Sequence, residues 1–134
     1  MRSSARLLMW FLAIANLGFL VWASLDPFTI IGFVGLEAAS PDANSEVRAM
    51  YGGLIGGLGV ISLIGALNPK RLDSAVGATA WAFAGVGIVR MCSCLAFGIG
   101  GWQIIFSVSE LAGSATCFWL LSRLENTGSH EELA

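Results

Sequence analysis

Charged side chains are scarce in this sequence, since Asp, Glu, Lys and Arg together account for 12% of its 134 residues. A soluble domain typically carries about 25%. The seven Lys and Arg residues are scattered along the chain, whereas nucleic-acid binding needs a clustered basic face, so we expect no nucleic-acid partner. With 56% hydrophobic residues, a soluble domain of this length would expose large apolar patches to water, which indicates a protein of the lipid bilayer.

Histidine and cysteine are also rare. The chain has one histidine, His130, and three cysteines, Cys92, Cys94 and Cys117. Metal and redox sites usually need CxxC pairs or cysteines combined with histidines, and the CxC here is far from the histidine in sequence. The sequence also lacks a Gly-rich phosphate loop and a recognisable nucleophile–base combination. We therefore expect no metal and no cofactor, we assign no catalytic residue, and we interpret the cysteines as packing residues. An enzyme stays an open alternative that no motif in the sequence supports.

Four long apolar runs make up most of the chain. They predict four membrane-spanning helices, over residues 7–25, 41–67, 74–97 and 102–122. Each run is close to the roughly 20 residues that a helix needs to cross the hydrocarbon core. The runs show no period-two alternation, which excludes transmembrane strands. The prediction is an all-α integral membrane four-helix bundle, a single domain over residues 1–134 with a mobile tail at 125–134.

The connections predict how this bundle is oriented. Residues 27–36, between the first two helices, are apolar but too short to span, so we expect an interfacial segment that lies on the membrane or dips back toward the bundle. Basic residues collect on the opposite side, at Arg2, Arg6, Lys70, Arg71 and Arg123. The positive-inside rule then predicts both termini in the cytoplasm (N-in, C-in) of a bacterial inner membrane. Trp81 lies within its run, and we expect it to pack inside the bundle.

Arg90 and Glu110 lie inside the third and fourth apolar runs. A charge within a transmembrane helix costs roughly 2.5 to 3.5 kcal/mol on insertion scales, so such groups usually face the protein interior and find partners. At ~1.5 Å per residue their depths differ by about one helical turn, which an arginine side chain can reach across. We predict that the two residues pair. The pair is either a structural bridge between helices or a contact for a ligand or a proton.

Further polar residues lie near the outer start of the second helix and within the first. Glu46, Arg48 and Tyr51 are either interfacial anchors or, together with Arg90 and Glu110, the lining of one pocket open to the outer face. Asn16 lies near the middle of the first helix and needs a partner inside the bundle. We expect it to be an interhelical contact rather than a ligand group.

Glycine is concentrated in the second predicted helix, where overlapping GxxxG spacings arise from Gly52, Gly53, Gly56, Gly57 and Gly59. A helix face without Cβ atoms lets another backbone approach closely. The approaching helix is the first or third helix of the same chain, a second copy of the chain in a homo-oligomer, or another membrane protein.

The stretch from Asn44 to Leu54 contains Glu46, Arg48, Tyr51 and the Gly52–Gly53 pair. It resembles the signature S/N-x-E-x-R-A-x-Y-G-G of a bacterial membrane family known as domain of unknown function 4345. The resemblance implies a four-helix chain in which this stretch opens the second helix. It also implies a basic residue in the third helix and an acidic residue in the fourth, which Arg90 and Glu110 match. It implies no activity.

Two functions follow from these features. The leading interpretation is a non-catalytic scaffold or accessory subunit, held in register by the buried charges and packed through its glycines. The alternative is a binder or carrier of a small molecule or lipid, with an outward-facing polar pocket. A polar cavity between the second, third and fourth helices favours the binder, and a dry bundle in which Arg90 and Glu110 satisfy each other favours the scaffold.

Overall fold

The computed structural model describes residues 1–33, 41–99 and 101–131. The described elements are all helical: α1 (Arg2–Leu25), α2 (Pro27–Phe33), α3 (Pro41–Val47), a π-helical segment (Arg48–Leu54), α4 (Ile55–Leu67), α5 (Leu72–Phe97) and α6 (Trp102–Glu131). Residues 34–36 of the predicted interfacial segment and residues 132–134 of the predicted tail lie outside the described residues.

Four helices are long and apolar enough to cross a membrane: Arg2–Leu25, Asn44–Leu67, Leu72–Phe97 and Trp102–Leu124. They confirm the predicted all-α architecture with four spans. The first and last helices extend beyond their predicted bounds, because hydropathy marks only the apolar part of a helix. The second span is composite, since α3, the π-helical segment and α4 follow one another without a break. Helix α6 continues to Glu131, and the mobility expected for the tail stays a prediction.

The four spans form two closely packed pairs, α1 with α4 and α5 with α6. Contacts between α4 and α5 join the pairs, and α1 touches α6 at only a few positions. The end of the bundle that lies near both chain termini is called the terminal end. The opposite end carries α2 and is called the α2 end.

At the terminal end the two pairs are joined by a tightly packed core. All four spans contribute to it, with small and medium-sized side chains: Ala5, Met9, Ala66, Leu72, Ala75, Val76, Ala80, Cys117, Leu120 and Leu124. Helices α4 and α5 come so close that a Cβ atom on Gly65 would overlap the Cβ atom of Ala75. Two basic residues of α1 connect it to the neighbouring spans at this end. Arg6 Nε donates to the carbonyl oxygen of Ala66 at 3.1 Å, and Arg2 Nη2 lies 3.6 Å from Asp73 Oδ2.

At the other end, α2 packs on the bundle. The hydroxyl and the backbone N–H of Thr29 both donate to the Asp26 carboxylate, capping α2. Both bonds hold the pKa of the Asp26 carboxyl below its ordinary value, and the bond from the hydroxyl has the larger effect. On the inner face of α2, Ile30 and Ile31 are buried with Ala23 of α1 and Val47 of α3. The described part of the short apolar segment, Pro27–Phe33, is therefore a helix that covers the ends of the first two spans.

The expectation that Trp81 packs inside the bundle is wrong. Its side chain is 70% exposed on the outer surface of α5, where the indole packs edge-on against Phe118 with a centroid distance of 5.0 Å. The buried face of α5 is formed by small residues such as Ala75, Ala80 and Gly87. Neighbouring helices approach this face too closely to leave room for an indole.

Candidate functional site

The two helix pairs separate toward the α2 end and leave a cavity of about 410 Å³ between them. This volume falls in the range of small-molecule sites. All four spans contribute to its wall, through Asn16, Met50, Tyr51, Leu54, Ile55, Leu58, Phe83, Val86, Arg90 and Glu110. The cavity therefore contains three of the five ligand-binding residues predicted from sequence, Tyr51, Arg90 and Glu110.

The predicted pair of Arg90 and Glu110 is confirmed. Arg90 Nε donates to Glu110 Oε2 and Nη2 donates to Oε1, both at 3.0 Å. This two-bond arrangement matches the planar guanidinium to the planar carboxylate and is among the strongest side-chain pairings. Each side chain keeps about a fifth of its surface exposed, 23% for Arg90 and 21% for Glu110. The pair is thus part of the cavity wall and is not sealed beneath it.

Two residues of α6 that the sequence analysis missed complete the surroundings of Arg90. Gln103 Oε1 accepts a hydrogen bond from Arg90 Nη1 at 2.8 Å. The guanidinium carbon also lies 5.9 Å from the centroid of the Phe106 ring, within the range of a cation–π interaction. Gln103 lies two helical turns before Glu110, on the same face of α6. This spacing in the sequence could have indicated that Gln103 also lies near Arg90.

Small residues between α5 and α6 let these helices approach closely behind the ion pair. A Cβ atom on Gly87 would lie 2.9 Å from Leu111 Cγ and 3.2 Å from Glu110 Cβ. The buried Ser107 hydroxyl donates to the carbonyl oxygen of Gly87 at 2.8 Å, and Ser114 does the same to Ala80 at 2.9 Å. Hydrogen bonds of this kind are typical of membrane helix pairs. They fix the register that places Arg90 opposite Glu110.

The second span reaches the cavity through its π-helical segment. This segment, Arg48–Leu54, coincides with most of the motif singled out in the sequence. A π-helical turn holds more residues than an α-helical turn, and short π-helical segments often mark functional sites. Met50, Tyr51 and Leu54 face the cavity, while Gly52 is buried against Ser24 and Leu20 of α1. The segment therefore combines a packing face and a cavity face.

Glu46 and Arg48 are exposed and do not contribute to the cavity wall. Within the described ranges neither residue forms an ion pair. The structure thus separates the predicted set into two groups, with Tyr51, Arg90 and Glu110 around one cavity and Glu46 and Arg48 at the surface of the second span. A binding role for Glu46 and Arg48 stays a prediction.

Asn16 and Tyr51 carry polar atoms that form no hydrogen bond with the residues that the structure describes. The Asn16 amide nitrogen is buried and forms no hydrogen bond with any residue described. The Tyr51 hydroxyl likewise forms none within residues 1–33, 41–99 and 101–131; its ring packs near Phe19 at a centroid distance of 6.4 Å. Polar groups left unpaired in a membrane protein are costly, so they commonly meet water or a ligand.

The glycines of the second span divide between two faces. A Cβ atom on Gly56 would lie 2.8 Å from Leu20 Cδ2, and one on Gly59 would lie 2.9 Å from Leu17 Cγ. Gly52, Gly56 and Gly59 therefore form the surface that receives α1 of the same chain. Gly53 and Gly57 are exposed, and a Cβ atom on Gly57 would meet nothing within 4 Å. Packing of this second face against another chain stays a prediction.

The cysteines lie apart from the cavity wall, with Cys94 and Cys117 buried and Cys92 exposed, and all three are free thiols.

Comparison with known proteins identifies the family. The family model described as Domain of unknown function (DUF4345) matches residues 4–121, which is most of the chain. The chain belongs to this family, and the resemblance seen around Tyr51 is confirmed. No curated protein and no solved structure matches the chain.

Proposed function

We propose that this family member binds a lipophilic small molecule, taken from the bilayer, in the cavity between the two helix pairs. The observation that carries the proposal is the cavity itself, which has an apolar wall interrupted by Asn16, Tyr51, Arg90 and Glu110. Helix bundles are normally packed to the density of organic crystals, so a space of this size needs an occupant or a function. A few placed polar groups in an apolar wall are typical of small-molecule sites.

The bilayer is the source of ligand that the wall favours. Met50, Leu54 and Val86 line the cavity and are also exposed on the lipid-facing surface of the second and third spans. The wall is therefore continuous with the surface that hydrocarbon chains contact. A lipophilic molecule can enter between α4 and α5 without passing through water, since these helices pack tightly only at the terminal end.

The ion pair supports binding more than catalysis. Both carboxylate oxygens of Glu110 accept hydrogen bonds from Arg90, so the carboxylate would have to leave this pairing, or share an oxygen with it, to take a proton from a substrate. The pair instead provides a fixed, formally neutral polar surface.

We also propose that both termini face the cytoplasm in the inner membrane. The terminal end carries five of the seven basic residues: Arg2, Arg6, Lys70, Arg71 and Arg123. In a variant with its native cysteines changed to serine, Lys70→Cys should resist an impermeant maleimide in intact cells, and Asp26→Cys should react. The reverse labelling pattern would disprove this orientation.

Binding is tested by filling the cavity. The wall residue Leu58 is replaced in Leu58→Trp, and the exposed residue Val60, which does not line the cavity, is replaced in the control Val60→Trp. The full-length proteins are extracted in mild detergent and analysed by native mass spectrometry. We expect wild type and Val60→Trp to retain a small molecule of defined mass, and Leu58→Trp to lose at least about 90% of it because the indole occupies the site.

The scaffold interpretation is the second candidate, and the exposed faces of Gly53 and Gly57 favour it because another helix can approach there. It predicts a different outcome of the same experiment. In that outcome wild type carries no bound small molecule, and a protein co-purifies with wild type and Leu58→Trp but not with Gly57→Leu. This result would favour the scaffold over the binding proposal.

A further inference from the structure

The cavity wall offers more hydrogen-bond donors than its own acceptors use. A guanidinium has five N–H groups, and Arg90 donates through three of its nitrogens, to Glu110 twice and to Gln103 once. Two N–H groups are thus left over. The Tyr51 hydroxyl lines the same cavity and adds another donor, and it forms no hydrogen bond with the residues that the structure describes.

Asn16 adds an adaptable group on the opposite side of the cavity, on α1. Its amide nitrogen is buried and has no partner among the described residues. A half-turn of the amide exchanges its nitrogen and oxygen at the cavity wall, since the two ends of the group are nearly identical in shape. Asn16 can therefore present an N–H to a ligand that accepts hydrogen bonds.

The charge of the wall is balanced. Arg90 and Glu110 are the charged residues that line the cavity, and the two bonds between them neutralise both at once. An anionic ligand would meet an arginine that already has its counter-ion, and a cationic ligand would have to displace that arginine from Glu110. Burying a ligand charge without a partner is costly, so the wall favours an uncharged molecule.

The polar and apolar parts of the wall lie at different depths. At ~1.5 Å per residue, Asn16 lies about 14 Å from the end of α1 at Leu25, and Arg90 lies about 10 Å from the end of α5 at Phe97. Phe83 lies about 21 Å from that end of α5, and Leu58 lies at a similar depth in the second span. The cavity thus has a polar level toward the α2 end and an apolar level beneath it.

Resting on the proposed function, we infer that the ligand is an uncharged lipid whose polar end carries carbonyl groups, such as a ketone or a quinone. The carbonyl oxygens accept hydrogen bonds from the Tyr51 hydroxyl and from the two remaining N–H groups of Arg90, and the Asn16 amide makes a third contact. The apolar body of the ligand lies against Leu58 and Phe83. An aliphatic tail extends through the gap between Leu54 and Val86 into the bilayer.

The inference is tested with matched probes on the full-length chain in lipid nanodiscs. The probes are decylbenzoquinone, decylbenzene and decanoate, which share an alkyl chain and differ in the polar end. Binding is measured by equilibrium dialysis and corrected with empty nanodiscs. We expect decylbenzoquinone to bind wild type at least tenfold more tightly than either other probe, because only it is uncharged and accepts hydrogen bonds.

Tyr51→Phe gives the second arm, because it removes the hydroxyl and keeps the ring beside Phe19. It should weaken decylbenzoquinone binding about fivefold to tenfold, the effect of one hydrogen bond, and leave decylbenzene unchanged. Thr116→Ala is the control, since it removes an exposed hydroxyl of α6 that donates to the carbonyl oxygen of Ala112 in the same helix.

The outcomes separate the inference from the proposed function. Equal binding of decylbenzoquinone and decylbenzene, preference for decanoate, or equal weakening of both uncharged probes by Tyr51→Phe would overturn the carbonyl inference and leave a lipophilic site. Absence of binding by all three probes, combined with no bound small molecule in the native mass spectra of wild type, would overturn the proposed function as well.

Discussion

The two ends of the bundle are built from the same four spans, but one end is tightly packed and the other encloses a cavity. At the terminal end, small and medium-sized apolar side chains from every span meet in one buried core. At the α2 end, the same helices surround a cavity whose wall includes an ion pair and residues of a π-helical segment. The four spans are apolar along their length at both ends, so the difference arises from which residues face the interior.

The position of glycine determines which helices come together at each level. At the terminal end Gly65 faces Ala75, so α4 and α5 approach closely and join the two pairs. Toward the α2 end Gly52, Gly56 and Gly59 of the second span face α1 instead, while Leu54 and Leu58 face the gap toward α5. Packing drives helix association in membranes, because lipid tails are as apolar as the side chains. Packing at the terminal end therefore holds the two pairs together, and the pairs stay apart around the cavity toward the α2 end.

The largest expected effect tests this division directly. Gly65→Leu places a side chain where Ala75 leaves no space, and overpacking of this kind should lower the free energy of unfolding by about 3 kcal/mol. Gly57→Leu is the matched control in the same span, because a Cβ atom there meets nothing within 4 Å. Unfolding is measured by titration with a denaturing detergent. Equal losses in the two variants would show that the terminal end does not hold the pairs together.

The sequence predicted the features that depend on hydropathy and depth along a helix. The four spans follow from their apolar runs, and the pairing of Arg90 with Glu110 follows from their similar depths. Both arguments need only the rise per residue and the cost of charge in lipid. Neither needs the rotation of a helix about its own axis.

Features that depend on rotation and on local backbone geometry were not predicted. Trp81 was placed inside the bundle because its depth is central, yet it lies on the outer face. The contact between Gln103 and Arg90 also depends on which face α6 turns toward α5. The π-helical segment has no periodic signature, and its Gly52–Gly53 pair does not mark it either, since Gly56 and Gly57 are also adjacent and lie in regular α-helix. A polar pocket was one of two alternatives predicted from the sequence, and three of the residues predicted for it, Tyr51, Arg90 and Glu110, line the cavity.

A smaller effect is expected at the α2 end, where each side chain of the ion pair keeps about a fifth of its surface exposed. Glu110→Gln leaves Arg90 without its counter-ion and should lower the free energy of unfolding by about 2 kcal/mol, less than for a fully buried pair because both side chains keep some exposure. Arg90→Gln should cost a similar amount. The double variant should recover at least about 1 kcal/mol relative to the sum of the single losses, because it removes both charges together.

Arg123→Gln is the control for this series, since it removes an arginine at the terminal end, where the side chain lies 5.8 Å from the centroid of the exposed Trp119 ring. The same detergent titration measures all four variants. Additive losses in the double variant would mean that Arg90 and Glu110 are stabilised separately by their surroundings. In that case the cavity wall would hold two independent charges, and the argument that its neutrality selects an uncharged ligand would fail while the packing contrast between the two ends remained.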